Sequence, residues 1–352
     1  MKRPPRGAPS PHKLPSAPFK DTMTEDSKTP SPAPIDLKGV SKQYRLGFWL
    51  AKKVQALKSL DLKVDSGQIF GLLGPNGAGK STTIKILMNL VQASEGEVRL
   101  FGLPPSDPKA RRQVGYLPEN PMPYDYLTGR EFVTLGAQLA GYDPKKTKAR
   151  VEEVLDEVGM TRSAGMQIRR YSKGMVQRVA FAQALVGEPK LLILDEPTSG
   201  LDPVGRRQIR DIILKERQKG TTILFCTHII PDIEALCDHV AVLVSGQLRK
   251  KGSVRDLLTT KAPAVEIGLE GLDRAQLESL TGGSAPEAIH ELEGRLLVRV
   301  KGEGSNGLIA KIIAAGGRIT QVQQVRFSLE DLFMDVVKDA GYKASPGGEI
   351  IG

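Results

Sequence analysis

The chain has 352 residues, 40 per cent of them hydrophobic, and a formal net charge of +10. That length predicts two or three domains with real cores, and no stretch approaches the ~18–20 uninterrupted apolar residues of a membrane span. Basic residues are scattered (Lys52-Lys53, Arg111-Arg112, Lys145-Lys146, Arg169-Arg170, Arg206-Arg207, Arg249-Lys250-Lys251). A single stripe would point to nucleic acid; this scatter fits a surface near anionic lipid or around an anionic ligand. Cys226 and Cys237 are the only cysteines and sit among apolar residues, as reduced cytosolic thiols do.

Residues 1–34 are rich in proline, lysine and serine and poor in large apolar residues, so a disordered basic tail is expected. No apolar run follows its charges, so it does not read as a secretory signal. From Ile35 the pattern turns globular, and Tyr44 ends a predicted strand. The loop from Arg45 to Lys53 holds the only tryptophan. Trp49 can dip toward a membrane or pack on the sheet, and both placements stay open. Val54 to Val64 alternates as a half-exposed antiparallel strand, and Ser66-Gly67 turns.

The stretch Gly74-Pro75-Asn76-Gly77-Ala78-Gly79-Lys80-Ser81-Thr82 organises everything after it. It follows an apolar run, Gln68 to Leu73, that reads as a buried strand, and it precedes Ile84, Leu87 and Met88 at helical spacing. Strand, glycine loop and helix suit a triphosphate. Backbone N–H groups converge on phosphate oxygens at a helix N-terminus, and Gly77 and Gly79 have no side chain to block the approach. Lys80 can reach the outer phosphates, and the Ser81 hydroxyl can sit on Mg²⁺.

Glu97–Phe101 and Val114–Leu117 read as short strands, the second ended by Pro118. Tyr124 to Gly187 then reads helical throughout, with a capping box from Thr128 to Glu131 and a core stripe of Val151, Val154, Leu155 and Val158. A helical subdomain inserted into the α/β core is expected here. Ser172 is a natural N-cap for the helix that follows, and Gly174 lets a backbone N–H approach an anion. Lys190 to Pro197 is a buried strand ending in Asp195 and Glu196. Acids at a strand's C-terminal end lie where ligands bind in an α/β sheet, so Asp195 can hold a metal and Glu196 can polarise a water. Ser199 to Pro203 turns into a helix, Thr221 to Thr227 is a further buried strand, and His228 follows it at once, placed to touch a phosphate. Beyond a boundary at Gly252 to Pro263, strands are expected at Val265–Leu269, Leu296–Val300 and Ile319–Val325. Helices are expected at Gly307–Ala315 and Ser328–Val337, with no cluster of acids, His or metal ligands.

Five motifs thus stand in one order: Tyr44, the phosphate loop, Ser172-Lys173-Gly174, Asp195-Glu196 and His228. Over about residues 35–258 the chain resembles the ATP-binding subunit of an ABC transporter, and most resembles those of bacterial exporters with a separate permease chain. Ser328-Leu329-Glu330-Asp331-Leu332-Phe333 resembles part of the small C-terminal domain many of them carry.

The resemblance implies that Tyr44 stacks on adenine, Lys80 binds the β- and γ-phosphates, Ser81 ligates Mg²⁺ and Thr82 contacts the α-phosphate. It implies Asp195 on Mg²⁺, Glu196 as general base and His228 on the γ-phosphate. Ser172 and Gly174 belong to a signature that meets nucleotide on the opposite subunit, and Asp202 lies at the dimer seam. Two motifs depart from the family: the signature reads Tyr171-Ser172-Lys173-Gly174-Met175 rather than Leu-Ser-Gly-Gly-Gln, and Glu119 stands where a glutamine is usual. Glu119 can still bind Mg²⁺ but adds negative charge beside the γ-phosphate.

The fold expected is an α/β phosphate-loop ATPase core with an antiparallel β edge and an inserted helical subdomain, plus a small C-terminal α+β domain. The boundaries are 1–34 tail, 35–258 ATPase (helical subdomain about 121–187), 262–342 C-terminal domain and 343–352 tail. The function expected is ATP hydrolysis driving export through a separate multi-span permease, by a homodimer with ATP and Mg²⁺ and no nucleic acid. The place expected is the cytoplasmic face of the inner membrane, peripherally. Ribosome- or DNA-acting relatives usually carry two ATPase domains or a long coiled coil, and this chain has neither. A nucleotide sensor without turnover sits poorly with Asp195-Glu196. Export is preferred to import by analogy alone.

Overall fold

The structure is a computed structural model that describes residues 32–46, 52–259, 264–281, 288–292, 295–301, 304–325, 328–341, 343–344 and 350–351. The proline-rich segment through Ser31 and the loop holding Trp49 lie outside the described residues.

Strands β1 (Ile35–Leu46) and β2 (Lys52–Val64) pair antiparallel. After β3 (Ile69–Leu73) and α1 (Lys80–Leu87), β4 (Glu95–Arg99) pairs with the far side of β1 to complete a three-stranded sheet, order β2-β1-β4. Helix α2 (Pro108–Arg111) leads to β5 (Val114–Leu117). The block expected to be helical throughout divides into α3 (Gly129–Leu139), α4 (Pro144–Glu157) and α5 (Lys173–Leu185), with two 3₁₀ turns between the last two. Gly141 and Gly159, both at positive φ, end α3 and α4. The Thr128 capping box opens α3 as its residues require, with Glu131 Oε2 accepting from the Thr128 N–H at 2.8 Å.

Next come β6 (Leu191–Asp195), α6 (Pro203–Gln218), β7 (Thr222–Thr227), α7 (Ile230–Leu236), β8 (His239–Val244), β9 (Gln247–Ser253) and α8 (Val254–Thr259). The main sheet has the order β5-β6-β7-β3-β8-β9, parallel except for β9. Strands β3, β6 and β7 are buried along their whole length because both faces are covered. The period of two divides each between two cores. In β3, Ile69 and Leu73 face the core shared with α3 to α7, while Phe70 and Leu72 face the core shared with α1 and the antiparallel sheet.

The C-terminal part runs β10 (Ala264–Glu270), α9 (Arg274–Leu280), β11 (Ala288–Leu292), β12 (Arg295–Lys301), α10 (Ser305–Ala314) and β13 (Arg318–Val325). The order β11-β12-β10-β13, antiparallel throughout, makes a β-α-β-β-α-β ferredoxin-like unit with its own core of Ile267, Leu269, Leu277, Leu296, Val298, Leu308 and Ile312. The last helix, α11 (Leu329–Asp339), takes no part in that core. Its Leu329, Phe333 and Val337 join the ATPase core beside α7, α8 and β8, and the Leu329 N–H donates to Glu234 Oε1 on α7 at 2.7 Å.

Candidate functional site

The loop between β3 and α1 wraps one side of a cavity of about 370 Å³. Pro75 to Thr82 line it together with Val54, Gln55, Ala56, Glu119, Asp195, Glu196 and His228. Gly79, at φ +110, is the N-cap of α1, and a Cβ there would stand 2.7 Å from Leu57 and 2.9 Å from the Ala56 carbonyl, so only glycine fits. Gly74 turns away into the fold, where a Cβ would lie 2.4 Å from the Leu243 carbonyl oxygen. Its own carbonyl accepts from Lys80 Nζ at 2.6 Å.

Asp195 and Glu196 reach this cavity because β6 ends beside the loop. Glu196 sits at φ +47, a left-handed conformation that strains a non-glycine residue by about 1–3 kcal/mol. It is held there by its N–H donating to the Cys226 carbonyl at 2.8 Å. The turned carboxylate then meets three groups. Thr227 Oγ1 donates to Oε2 at 2.9 Å, His228 Nδ1 lies 2.8 Å from Oε1, and Lys80 Nζ lies 3.8 Å from Oε1. Both Lys80 and Glu196 are buried, so this pair is little screened. Burial pushes the Asp195 carboxyl up to about 6, and the negative charges of Glu196 and Glu119 add to that, against Lys80 and Lys85. Burial, with Asp195, Cys226 and Glu119 nearby, raises the Tyr116 phenol to about 12.

The remaining sequence candidates lie outside the lining of this cavity. Tyr44 stands opposite Val54 across the β1–β2 ladder, with the Lys42 ammonium 5.1 Å above its ring; Val54 lines the cavity and Tyr44 does not. Ser172 caps α5, accepting from the Met175 N–H at 3.4 Å, and Asp202 caps α6, accepting from the Gly205 N–H at 2.8 Å. These two caps belong to one patch. A Cβ on Gly174 would meet Leu201 at 3.9 Å, and one on Gly200 would run into Lys173 Nζ at 2.1 Å. Ser172, Lys173 and Gly200 are exposed.

Residues 57–199 match the ABC transporter family. An uncharacterized ABC transporter ATP-binding protein of Nostoc is 40 per cent identical over 91 per cent of this chain and 95 per cent of its own length. This chain belongs to the ABC transporter ATP-binding proteins. A fluoroquinolones export ATP-binding protein of Mycobacterium tuberculosis is 36 per cent identical, over 68 per cent of this chain and 85 per cent of the relative. Among solved structures, a dimeric ATP-binding cassette in a post-hydrolysis state bound to ADP and Pi matches with a TM-score of 0.57. It is 26 per cent identical, over 62 per cent of this chain and 98 per cent of that one.

The ABC subunit is therefore an ATPase, with the ABC cassette fold. Sequence reasoning missed two features of its site. One is Thr227, whose hydroxyl grips Glu196 and also accepts from the Ile229 N–H at 3.0 Å; a polar residue closing an apolar strand was its only signal. The other is a buried network behind the site, in which Asp232 on α7 accepts from Thr198 Oγ1 at 2.5 Å and from Arg210 Nε on α6 at 2.9 Å. Among the described residues, no three His, Cys, Asp or Glu side chains gather to cage a metal. Asp195, crowded by two acids, and the Ser81 hydroxyl on the same cavity still suit a hard cation that takes its other oxygens from a triphosphate and water.

Proposed function

We propose that this ATPase works as a homodimer that closes on two ATP molecules and drives export through a separate multi-span permease. The observation carrying this reading is the separation of its two anion-binding parts. The phosphate loop lines the cavity, whereas Ser172 and Gly174 sit in a patch with Gly200, outside that lining. With one copy of each part per chain, a second chain supplies the missing half, and two-fold symmetry completes both sites at once. Export follows the relative named for fluoroquinolone export, at 36 per cent identity. Among the described residues no helix is long and apolar enough to cross a membrane. The relatives named as ATP-binding proteins of ABC transporters support a permease that supplies the pathway, with this subunit peripheral on the cytoplasmic face.

In this reading Lys80, the loop N–H groups and Thr82 hold the phosphates, and Tyr44 stacks on adenine. Ser172 and Gly174 meet the nucleotide of the partner subunit, and Asp202 lies at the seam between the two. Ser81 and Asp195 hold Mg²⁺, with Glu119 beside them. The ion, when bound, neutralises charge on the phosphate oxygens. Glu196 takes the proton of the attacking water, held in place by Thr227 and His228, and His228 contacts the γ-phosphate. Removing a general base slows turnover by about 10²–10⁴-fold. Glu196→Gln is therefore expected to bind ATP, to lose turnover on that scale, and to stay closed. Tagged Glu196→Gln protein, recovered with ATP from solubilised membranes of its own host, should carry a stoichiometric multi-span protein. Recovery of ribosomes or DNA with no membrane protein would refute the transport reading, and full-speed hydrolysis would refute the role of Glu196.

A further inference from the structure

Strand β13 is the outer strand of the C-terminal sheet, and among the described residues nothing pairs with its other edge. Thr320, Gln321, Val322, Gln323 and Gln324 are all exposed. Val322 is 52 per cent exposed, and Ile313, on the α10 helix packed against this strand, is 59 per cent exposed. A free edge normally carries charge that keeps other strands away. Among the described residues the other edges of the three larger sheets carry charge: Lys58 and Lys63 on β2, Glu95 and Glu97 on β4, Arg249 to Lys251 on β9, and Glu291 on β11. The four-residue β5 is too short to recruit a strand. From Ile319 to Val325, β13 has no charged residue, and Arg318 at its start is neutralised by Glu270 at 2.7 Å.

We infer that β13 pairs antiparallel with β13 of a second copy of this chain, joining two C-terminal sheets into one of eight strands. Between Ile319 and Val325 the sequence is complementary to itself about Val322. A two-fold axis there sets Gln321 against Gln323, Thr320 against Gln324 and Ile319 against Val325, with no charged residue among these pairs. Gln321 Nε2 already donates to Gln323 Oε1 within the strand at 2.8 Å, so the axis extends a side-chain amide ladder. Val322 shares its face with Ile267, its partner in the β10 register, so the two valines meet on the side where α10 exposes Ile313. One strand pair buries less than the ~1,200 Å² of a stable complex, so the contact is weak alone. It strengthens when another interface holds the two copies together, because the second contact is then intramolecular.

The pairing needs no nucleotide, so it is tested apart from the ATP-driven dimer. Residues opposite one another on such an axis lie ~4.5–5.5 Å apart, within disulfide reach. Full-length Val322→Cys under mild oxidation is expected to form a linked dimer several-fold faster than Leu90→Cys, a cysteine at an exposed site distant in sequence; Cys226 and Cys237 are buried and do not compete. Val322→Lys, with an unchanged melting temperature, is expected to weaken self-association about tenfold in sedimentation equilibrium. A Val322→Lys chain that self-associates like the wild type, with Val322→Cys linking no faster than Leu90→Cys, overturns the inference. So does loss of permease from Val322→Lys membranes with self-association intact, which would give this edge to the permease. If ATP changes nothing while the nucleotide-free link persists, the ATP-driven dimer falls and the strand pairing stands.

Discussion

At Asp195 the fold works against one of its own side chains. Burial and two neighbouring acids raise its carboxyl to about 6. The protonated form therefore favours the folded state: that contribution is complete below about pH 4 and is lost as pH rises through about 6. At pH 7.5 the nucleotide-free protein bears a charge it does not tolerate well. Asp195→Asn should accordingly stabilise it by on the order of 1 kcal/mol, the open side of the cavity screening part of the effect. Melting curves at pH 7.5 and at pH 5 check this, and the gain should shrink at the lower pH. An Asn variant less stable than wild type at pH 7.5 would mean that Asp195 is compensated after all. The same residue scale shows what was legible. Lys80, Asp195, Glu196 and His228 could be read as a set because each sits at a strand end or helix start whose geometry the sequence announces. The left-handed turn at Glu196 could not be read, since a glutamate gives no local sign of positive φ; the Cys226 carbonyl from the neighbouring strand imposes it.

Close backbone approach seats some elements where no side chain would fit. Gly115 on β5 is the clearest case, for a Cβ there would stand 2.3 Å from the Ala184 carbonyl oxygen on α5. That contact seats the last helix of the helical block on the edge of the main sheet. Gly115→Ala should push the two apart and cost about 1–3 kcal/mol, read as a lower denaturant midpoint; an unchanged midpoint would show that α5 gives way freely. Strand, loop and helix order in the ATPase part followed from apolar runs and caps. In the C-terminal part, α9 and β11 were not anticipated. Both are short, and α9 offers only the capping box of Asp273 with Gln276 as a signal.

Over the whole molecule, α11 ties the C-terminal part to the ATPase. Asp331 lies 3.6 Å from Arg299 on β12, while Phe333 is buried among residues of the ATPase core. Phe333→Ala should therefore cost about 3–5 kcal/mol and lower the unfolding midpoint of the ATPase core itself, followed by loss of ATP protection against proteolysis. Destabilisation confined to the ferredoxin-like unit would contradict this packing.

The ATPase motifs, their order and the alternation of strands and helices between them were legible from neighbouring residues. Each of these rests on the chemistry and periodicity of neighbouring residues. Which of them share a cavity follows from long-range packing alone. The grip of Thr227 on Glu196, the separation of Ser172 and Gly174 from the phosphate loop, and the docking of α11 into the ATPase core all depend on residues far apart in the chain. Local pattern fixes which face of an element is apolar, but not which of several apolar faces will cover it.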